Sequence, residues 1–274
     1  MKNSHPKICV ALIHNNNTKR YRYIRPQLDR LKKTMSDKFD VEIIEVSEQP
    51  EVENHPMGMV VMRKIFLWRL NREWFRYKAI KPRNIFLDLL ILIRRLVVTV
   101  INRDEECRRS VTDSYVTEKH LRAWGIFLEM KSDFLICFED DAVFKKDSLT
   151  RVRLFLKGVA KYEGKPVYFD LAGGVSPDLL NVKNLEFKNI SGRKYYRKPV
   201  TNTGCCYLIS RPSARIFFFY LLKNPGLRLI GADWLLNKLF ILSTPKYRYI
   251  CYHADPPIFA NGSATGNYSS WLSI

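Results

Sequence analysis

Short apolar runs punctuate the chain, and most of them end abruptly in polar sequence. The first, "ICVALI" (Ile8 to Ile13), is uninterrupted and gives way to "HNNNTKR". A run that short predicts a strand buried on both faces of a parallel sheet, with a loop at its C-terminal end. "RYRYIRPQLDRLKKTM" then places Ile24, Leu28 and Leu31 at helical spacing, and "FDVEIIEV" (Phe39 to Val46) alternates as a second strand. Strand, helix and strand within about 45 residues form a βαβ unit, and such folds hold ligands at the C-terminal ends of their strands.

Order of the same kind resumes at Thr112. "TDSYVTEKHLRAWGIFLEM" predicts a helix capped at Thr112 or Thr117, with His120, Leu121, Trp124, Phe127 and Leu128 along one face. "DFLICFEDDAVF" reads as a strand, "SLTRVRLFLKGVAKY" as a helix, and "PVYFDLAGG" as a strand turning at Gly173–Gly174. "GCCYLIS" (Gly204 to Ser210) predicts a further strand, and "RPSARIFFFYLL" a helix with Pro212 in its first turn. The tail beyond Pro256, rich in Gly, Asn and Ser, reads as a loop or lid. The expectation is one α/β domain over residues 1–274, without internal repeats.

One segment breaks the rhythm. Between Met57 and Arg103 stand eleven Lys or Arg against two acids, interleaved with Phe66, Trp68, Trp74, Phe75 and Tyr77. Its later part, "NIFLDLLILIRRLVVTVI", is apolar but interrupted by Asp88, Arg94 and Arg95, so no transmembrane helix is expected. We read 57–109 as a basic-aromatic, helical insertion facing a membrane or an acceptor. Two interpretations stay open: an interfacial anchor, or a core helix over Leu89 to Val100 with a solvated basic flank.

Charge sharpens this picture. The chain carries 46 Lys+Arg and 27 Asp+Glu among 274 residues, a net charge of +19, which calls for an anionic partner. Hydrophobic content of 46% argues against disorder. No nucleic-acid-binding motif accompanies the charge, so nucleic acid is not an expected partner, although a basic nucleic-acid-binding protein is the main alternative class. Cys9, Cys107, Cys137, Cys205, Cys206 and Cys251 form no C-x-x-C pair and are expected as buried free thiols. With no signal-peptide core at the N-terminus, a cytoplasmic protein is expected, held peripherally at the inner face of the cytoplasmic membrane.

Against this basic background, "FLICFEDDAVF" sets Glu139, Asp140 and Asp141 side by side at the end of an apolar strand. Like charges so close are costly unless something positive lies among them. A solvated turn, an acid/base pair and a divalent-cation site are the three readings. Residues 139 and 141 share one face of a continuous strand and 140 does not. A hard cation with oxygen ligands, bridging to phosphates, is the reading we favour.

The ordered set of motifs resembles glycosyltransferase family 25. "ALIHNNNTKRYRYIRPQLDRL", "TEKHLRAW" (Thr117 to Trp124), "CFEDDAVF", "TGCCYLISRPSARIF" and Asp233 in "GADWLLN" follow the family's order across most of the chain. The first loop carries Asn15–Asn16–Asn17 where the family favours Leu-Asp-Arg. The resemblance implies a GT-A fold, a Rossmann-like nucleotide-binding half joined to an acceptor-binding half. It implies inverting transfer from a UDP-sugar, commonly galactose, to a sugar hydroxyl on a lipopolysaccharide, lipooligosaccharide or capsule-type glycan. A non-catalytic scaffold related to such enzymes is a further alternative. The acidic stretch would stand in for the family's metal motif, with manganese or magnesium held by Asp141 and Glu139 and with Asp140 meeting the ribose or ordering the loop.

Other residues join this expectation. Asp233 is the candidate general base, its structural alternative being a helix N-cap. His253 is a candidate third metal ligand or a satisfied core histidine, and Asp255 a weaker version of the same idea. Asn15 and Asn17 are expected at the nucleoside, and Arg20 and Arg22 at a diphosphate unless they are exposed helix arginines. His120 is expected in the donor site or as a hydrogen-bonded helix histidine. Gly204 either admits substrate to the backbone or makes a turn.

Overall fold

A computed structural model describes residues 6–47, 84–173, 187–197, 201, 203–247 and 251–268, with isolated positions between 63 and 73. Most of the basic-aromatic stretch, Gly174 and residues 269–274 of the tail therefore lie outside the described residues. Eleven strands and six α-helices are described: β1 (Lys7–Ile13), α1 (Thr18–Met35), β2 (Asp40–Val46), α2 (Ile85–Ile101), α3 (Arg103–Glu129), β3 (Phe134–Glu139), β4 (Ala142–Phe144), α4 (Ser148–Val159), β5 (Tyr168–Asp170), β6 (Ala172–Gly173), β7 (Phe187–Ile190), β8 (Arg193–Arg197), β9 (Cys206–Ser210), α5 (Arg211–Lys223), α6 (Ala232–Tyr247), β10 (Cys251–Asp255) and β11 (Phe259–Asn261).

β1 shows why the apolar runs fold as they do. Ile8, Val10 and Leu12 enter one core with α1 and α4, while Cys9, Ala11 and Ile13 enter the other with α3, α5 and α6. A strand covered on both faces has no polar side, which accounts for its continuous apolar reading. The eight-stranded sheet runs β2-β1-β3-β9-β5-β10-β8-β7. β1 is parallel to β2 and β3, whereas β9 is antiparallel to both β3 and β5. The chain is thus a mixed α/β protein with a large sheet between helical layers.

Several sequence expectations change here. The "EDD" strand is not continuous: β3 stops at Glu139, and Asp140–Asp141 turn the chain into β4, which belongs to a separate sheet ordered β4-β11-β6. Strand alternation therefore does not govern 139 and 141. "PVYFDLAGG" likewise divides at Leu171 between the two sheets. The tail is not all loop, because β11 pairs with β4 and β6. Helix α3 begins at Arg103, so Thr112 and Thr117 lie inside it rather than at its cap. The Thr117 hydroxyl donates instead to the Ile230 carbonyl at 2.5 Å, tying α3 to the entrance of α6.

Five described cysteines, Cys9, Cys137, Cys205, Cys206 and Cys251, are free and buried. No helix among the described residues is long and apolar enough to cross a membrane. Helix α2 is capped by Asn84, whose Oδ1 accepts from Phe86 N and Leu87 N, and only Leu92 and Thr99 of the helix are buried.

Candidate functional site

The acids gather where β1 and β3 end side by side, Ile13 opposite Glu139. β3 is extended by Glu139 N donating to the Cys205 carbonyl at 2.8 Å, which draws the Gly204–Cys205 bend against the acidic turn. Gly204 has φ +59, and a Cβ there would stand 2.5 Å from Asp233 Oδ1. Glycine at this position therefore serves both a left-handed turn and the close approach of Asp233. Gly262 is equally constrained, since a Cβ would meet the Asp141 carbonyl at 2.7 Å and the Tyr268 ring at 2.5 Å.

The three neighbouring carboxylates have different fates. Asp140, 2% exposed, faces Arg20 Nη1 at 2.8 Å, and the guanidinium is itself buried beneath the Tyr268 ring at 5.2 Å. Lys119 lies near enough for Asp140 to act on its charge, and its Nζ donates to the His14 carbonyl at 2.8 Å. Burial still lowers the Lys119 pKa. Arg20 is therefore not a solvent-facing helix arginine, because its guanidinium is buried against Asp140 in the acidic turn.

Asp141 turns the other way. Its Oδ1 accepts from Cys205 Sγ at 3.2 Å and its Oδ2 from Ser263 Oγ at 2.5 Å. Glu139 meets His120 Nε2 at 2.9 Å, and His120 Nδ1 meets the Tyr207 hydroxyl at 2.7 Å. Trp124 Nε1 donates to that same hydroxyl at 2.9 Å. All three bonds are satisfied when Tyr207 accepts from the indole, donates to Nδ1 and leaves Nε2–H for the Glu139 carboxylate. Burial lowers the His120 pKa to about 4, so the ring is neutral at physiological pH.

Burial, then the charges of Asp141 and Asp140, raises the Glu139 pKa well above the ordinary carboxylate range. Asp233 sits in the first turn of α6, past the Gly231 carbonyl that begins the helix, so it is not the N-cap. A helix N-terminus favours an ionised acid, but desolvation and the Glu139 charge prevail and raise its pKa to about 7. Asp113 and Asp141 add to that push, and His120 opposes it. Glu139 and Asp233 thus resist ionisation with the Asp141 carboxylate beside them, whereas Asp140 is paired with Arg20.

The remaining candidates are placed as follows. Asn17 caps α1, its Oδ1 accepting from Arg20 N at 3.2 Å. Asn15 Oδ1 is buried with no hydrogen-bond partner among the described residues, in a loop where Asn16 takes φ 64. A non-glycine residue in that region marks a backbone held in place by its surroundings. Arg22 is exposed on α1, apart from the acidic turn. His253 is buried on β10, with β5 and β9 between that strand and β3, and its Nε2 lies 3.7 Å from Cys251 Sγ. That placement separates it from the acidic turn. Asp255 ends the same strand. Among the described residues, no group of three or more His, Cys, Asp or Glu is arranged to hold a metal ion.

Lys119, Tyr207, Cys205, Ser263, Tyr268 and Asp113 were missed by sequence reading. They come from three segments far apart in sequence, α3, the start of β9 and the tail after β11, and no local pattern marks any of them. Gly262 carried a weak signal, as a glycine in a tail rich in turn residues. The chain matches no protein-family model, and no curated protein matches it at a significant level, so the likeness to glycosyltransferase family 25 rests on the quoted motifs.

Proposed function

We propose that this protein is an inverting glycosyltransferase of GT-A type. It would move a hexose, galactose or a relative, from a UDP-sugar to a hydroxyl of a lipopolysaccharide, lipooligosaccharide or capsule-type glycan. Its place would be the inner face of the cytoplasmic membrane, on an anionic lipid surface. The observation that carries the reading is Asp233, raised to about pKa 7 beside Glu139 and Asp141 at the C-terminal end of a parallel strand. A general base works best with a pKa near the operating pH, and open α/β sheets bind ligands at that end.

Asp233 would accept the proton of the acceptor hydroxyl as its oxygen bonds to the anomeric carbon and the sugar–diphosphate bond breaks. His120, fixed by Tyr207, would hold Glu139 through Nε2–H. Asn15, with its unpartnered Oδ1 beside the end of β1, would meet the nucleoside. Glu139 and Asp141 offer oxygen ligands, and the Asp141 charge raises the cost of ionising Glu139, a donor chemistry that fits manganese or magnesium. Bound there, such a cation would compensate the charge of the departing diphosphate. His253, two strands removed from β3's neighbour β9, stands outside that set.

The test is transfer and nucleotide release from a panel of nucleotide sugars, with and without manganese. Release from one UDP-sugar, lost in Asp141→Asn with the fold retained, is the expected result. No release from any donor, together with no nucleotide binding by calorimetry, overturns the reading.

A further inference from the structure

Helix α2 is the least buried apolar element of the described chain. Phe86, Leu90, Ile93, Val97 and Val100 succeed one another at steps of four and three residues along its outer face. They are 82%, 64%, 49%, 50% and 54% exposed. Leu87, Ile91 and Val98 flank that row and are exposed as well. At about 100° per residue, the apolar arc covers roughly half the helix circumference. Leu92 and Thr99, on the opposite side, face the protein.

A partner helix would cover only a narrow seam of such a surface. A continuous apolar medium covers the whole arc. Crossing that medium is excluded by length and by Asp88, Arg94 and Arg95. Arg94 lies exposed within the apolar arc, where a long side chain can carry its charge up to a headgroup phosphate. The net charge of +19 adds attraction toward an anionic surface.

We propose that α2 lies in the interface of an anionic lipid membrane, with its apolar arc among the acyl chains and its buried Leu92–Thr99 side toward the protein. A single residue, Asn102, separates α2 from α3, and α3 leads to His120. At 1.5 Å per residue, the seventeen steps from Arg103 to His120 span about 25 Å, so docking fixes the acidic site within that reach of the membrane. This deepens the transferase reading by naming the surface that would present the acceptor.

The full chain is mixed with phosphatidylcholine vesicles, with and without phosphatidylglycerol, and separated by flotation. No sugar donor is present, so failure of the transferase reading leaves the result interpretable. The expected outcome is co-flotation with the anionic vesicles only, weakened by salt. The double substitution Leu90→Glu/Val97→Glu should cut the partition at least about tenfold. Both positions are exposed, and circular dichroism checks that the variant remains folded. Wild type that ignores anionic vesicles overturns the proposal, as does a variant that floats equally well. So does light scattering showing a dimer that this substitution dissociates while the wild type leaves vesicles alone.

Discussion

Asp140 and Asp141 are adjacent in one turn, yet the two sides of that turn obey different electrostatics. On the Asp140 side, a buried guanidinium at 2.8 Å and a nearby ammonium neutralise the acid within the protein. On the Asp141 side, the neighbours are a thiol, a hydroxyl, Glu139 and Asp233, and the His120 ring that holds Glu139 is neutral. A charge compensated internally serves the fold, because breaking such a pair leaves an ion buried alone. The raised pKa values of Glu139 and Asp233 represent free energy that a positive ligand can release. Two neighbours in sequence thus divide structural and chemical work between them.

The largest expected effect falls on the acidic side. Asp233→Asn should lower transfer by about 10²–10⁴-fold, measured with saturating donor and acceptor, because removing a general base typically costs that much. In the wild type, transfer should decline as pH falls below about 7, where Asp233 takes up its proton. The same group alters stability. Its folded pKa lies above the usual 3.8, so its contribution is intact below pH 3.8 and has been lost once pH rises past about 7. The loss is at most about 4 kcal/mol, because each pH unit between those two values costs about 1.4 kcal/mol. Urea unfolding without divalent cations should show a flatter pH dependence for Asp233→Asn, and greater stability than wild type at pH 8. An unchanged profile would break the contrast between the two sides.

Next comes the compensated side. Arg20→Met should cost about 3–5 kcal/mol by urea unfolding, since it strands Asp140 in the interior. Adding Asp140→Leu should restore much of that loss, a coupling that a merely steric role for Arg20 does not produce. Ser263→Ala removes a hydrogen bond to a carboxylate and should cost about 1.5 kcal/mol. The smallest effect is expected far from both: Phe86→Ser on α2 should change stability by less than about 0.5 kcal/mol, because its ring is 82% exposed.

Much of the scaffold was legible in the sequence. "ICVALI" and "FLICFE" are buried on both faces, and a strand with no wet side must be apolar throughout. Ile24, Leu28 and Leu31 mark the inner face of α1. A turn at "EDD" was one of the three readings, but a turn buried between two sheets was not legible, because its burial depends on strands distant in sequence. The start of α3 was missed because capping residues inside a helix look like caps in sequence. Of the site, the clustering of Glu139, Asp140 and Asp141 was visible, and so were Asp233 and His120 as candidates. Their relation to one another was not.

By itself, then, the sequence determined a parallel-strand core, a short acidic stretch at a strand end, an excess of positive charge and an apolar helix interrupted by arginines. These are local or summed properties, read from spacing and composition. Only the tertiary structure decided that Arg20 neutralises Asp140, that Gly204 lets Asp233 close on Glu139, that His253 stands apart, and that α2 turns its apolar arc outward. Each of those depends on contacts between residues dozens to more than a hundred positions apart, or on what covers a surface. Desolvation and charge pairing follow from such contacts rather than from neighbours along the chain.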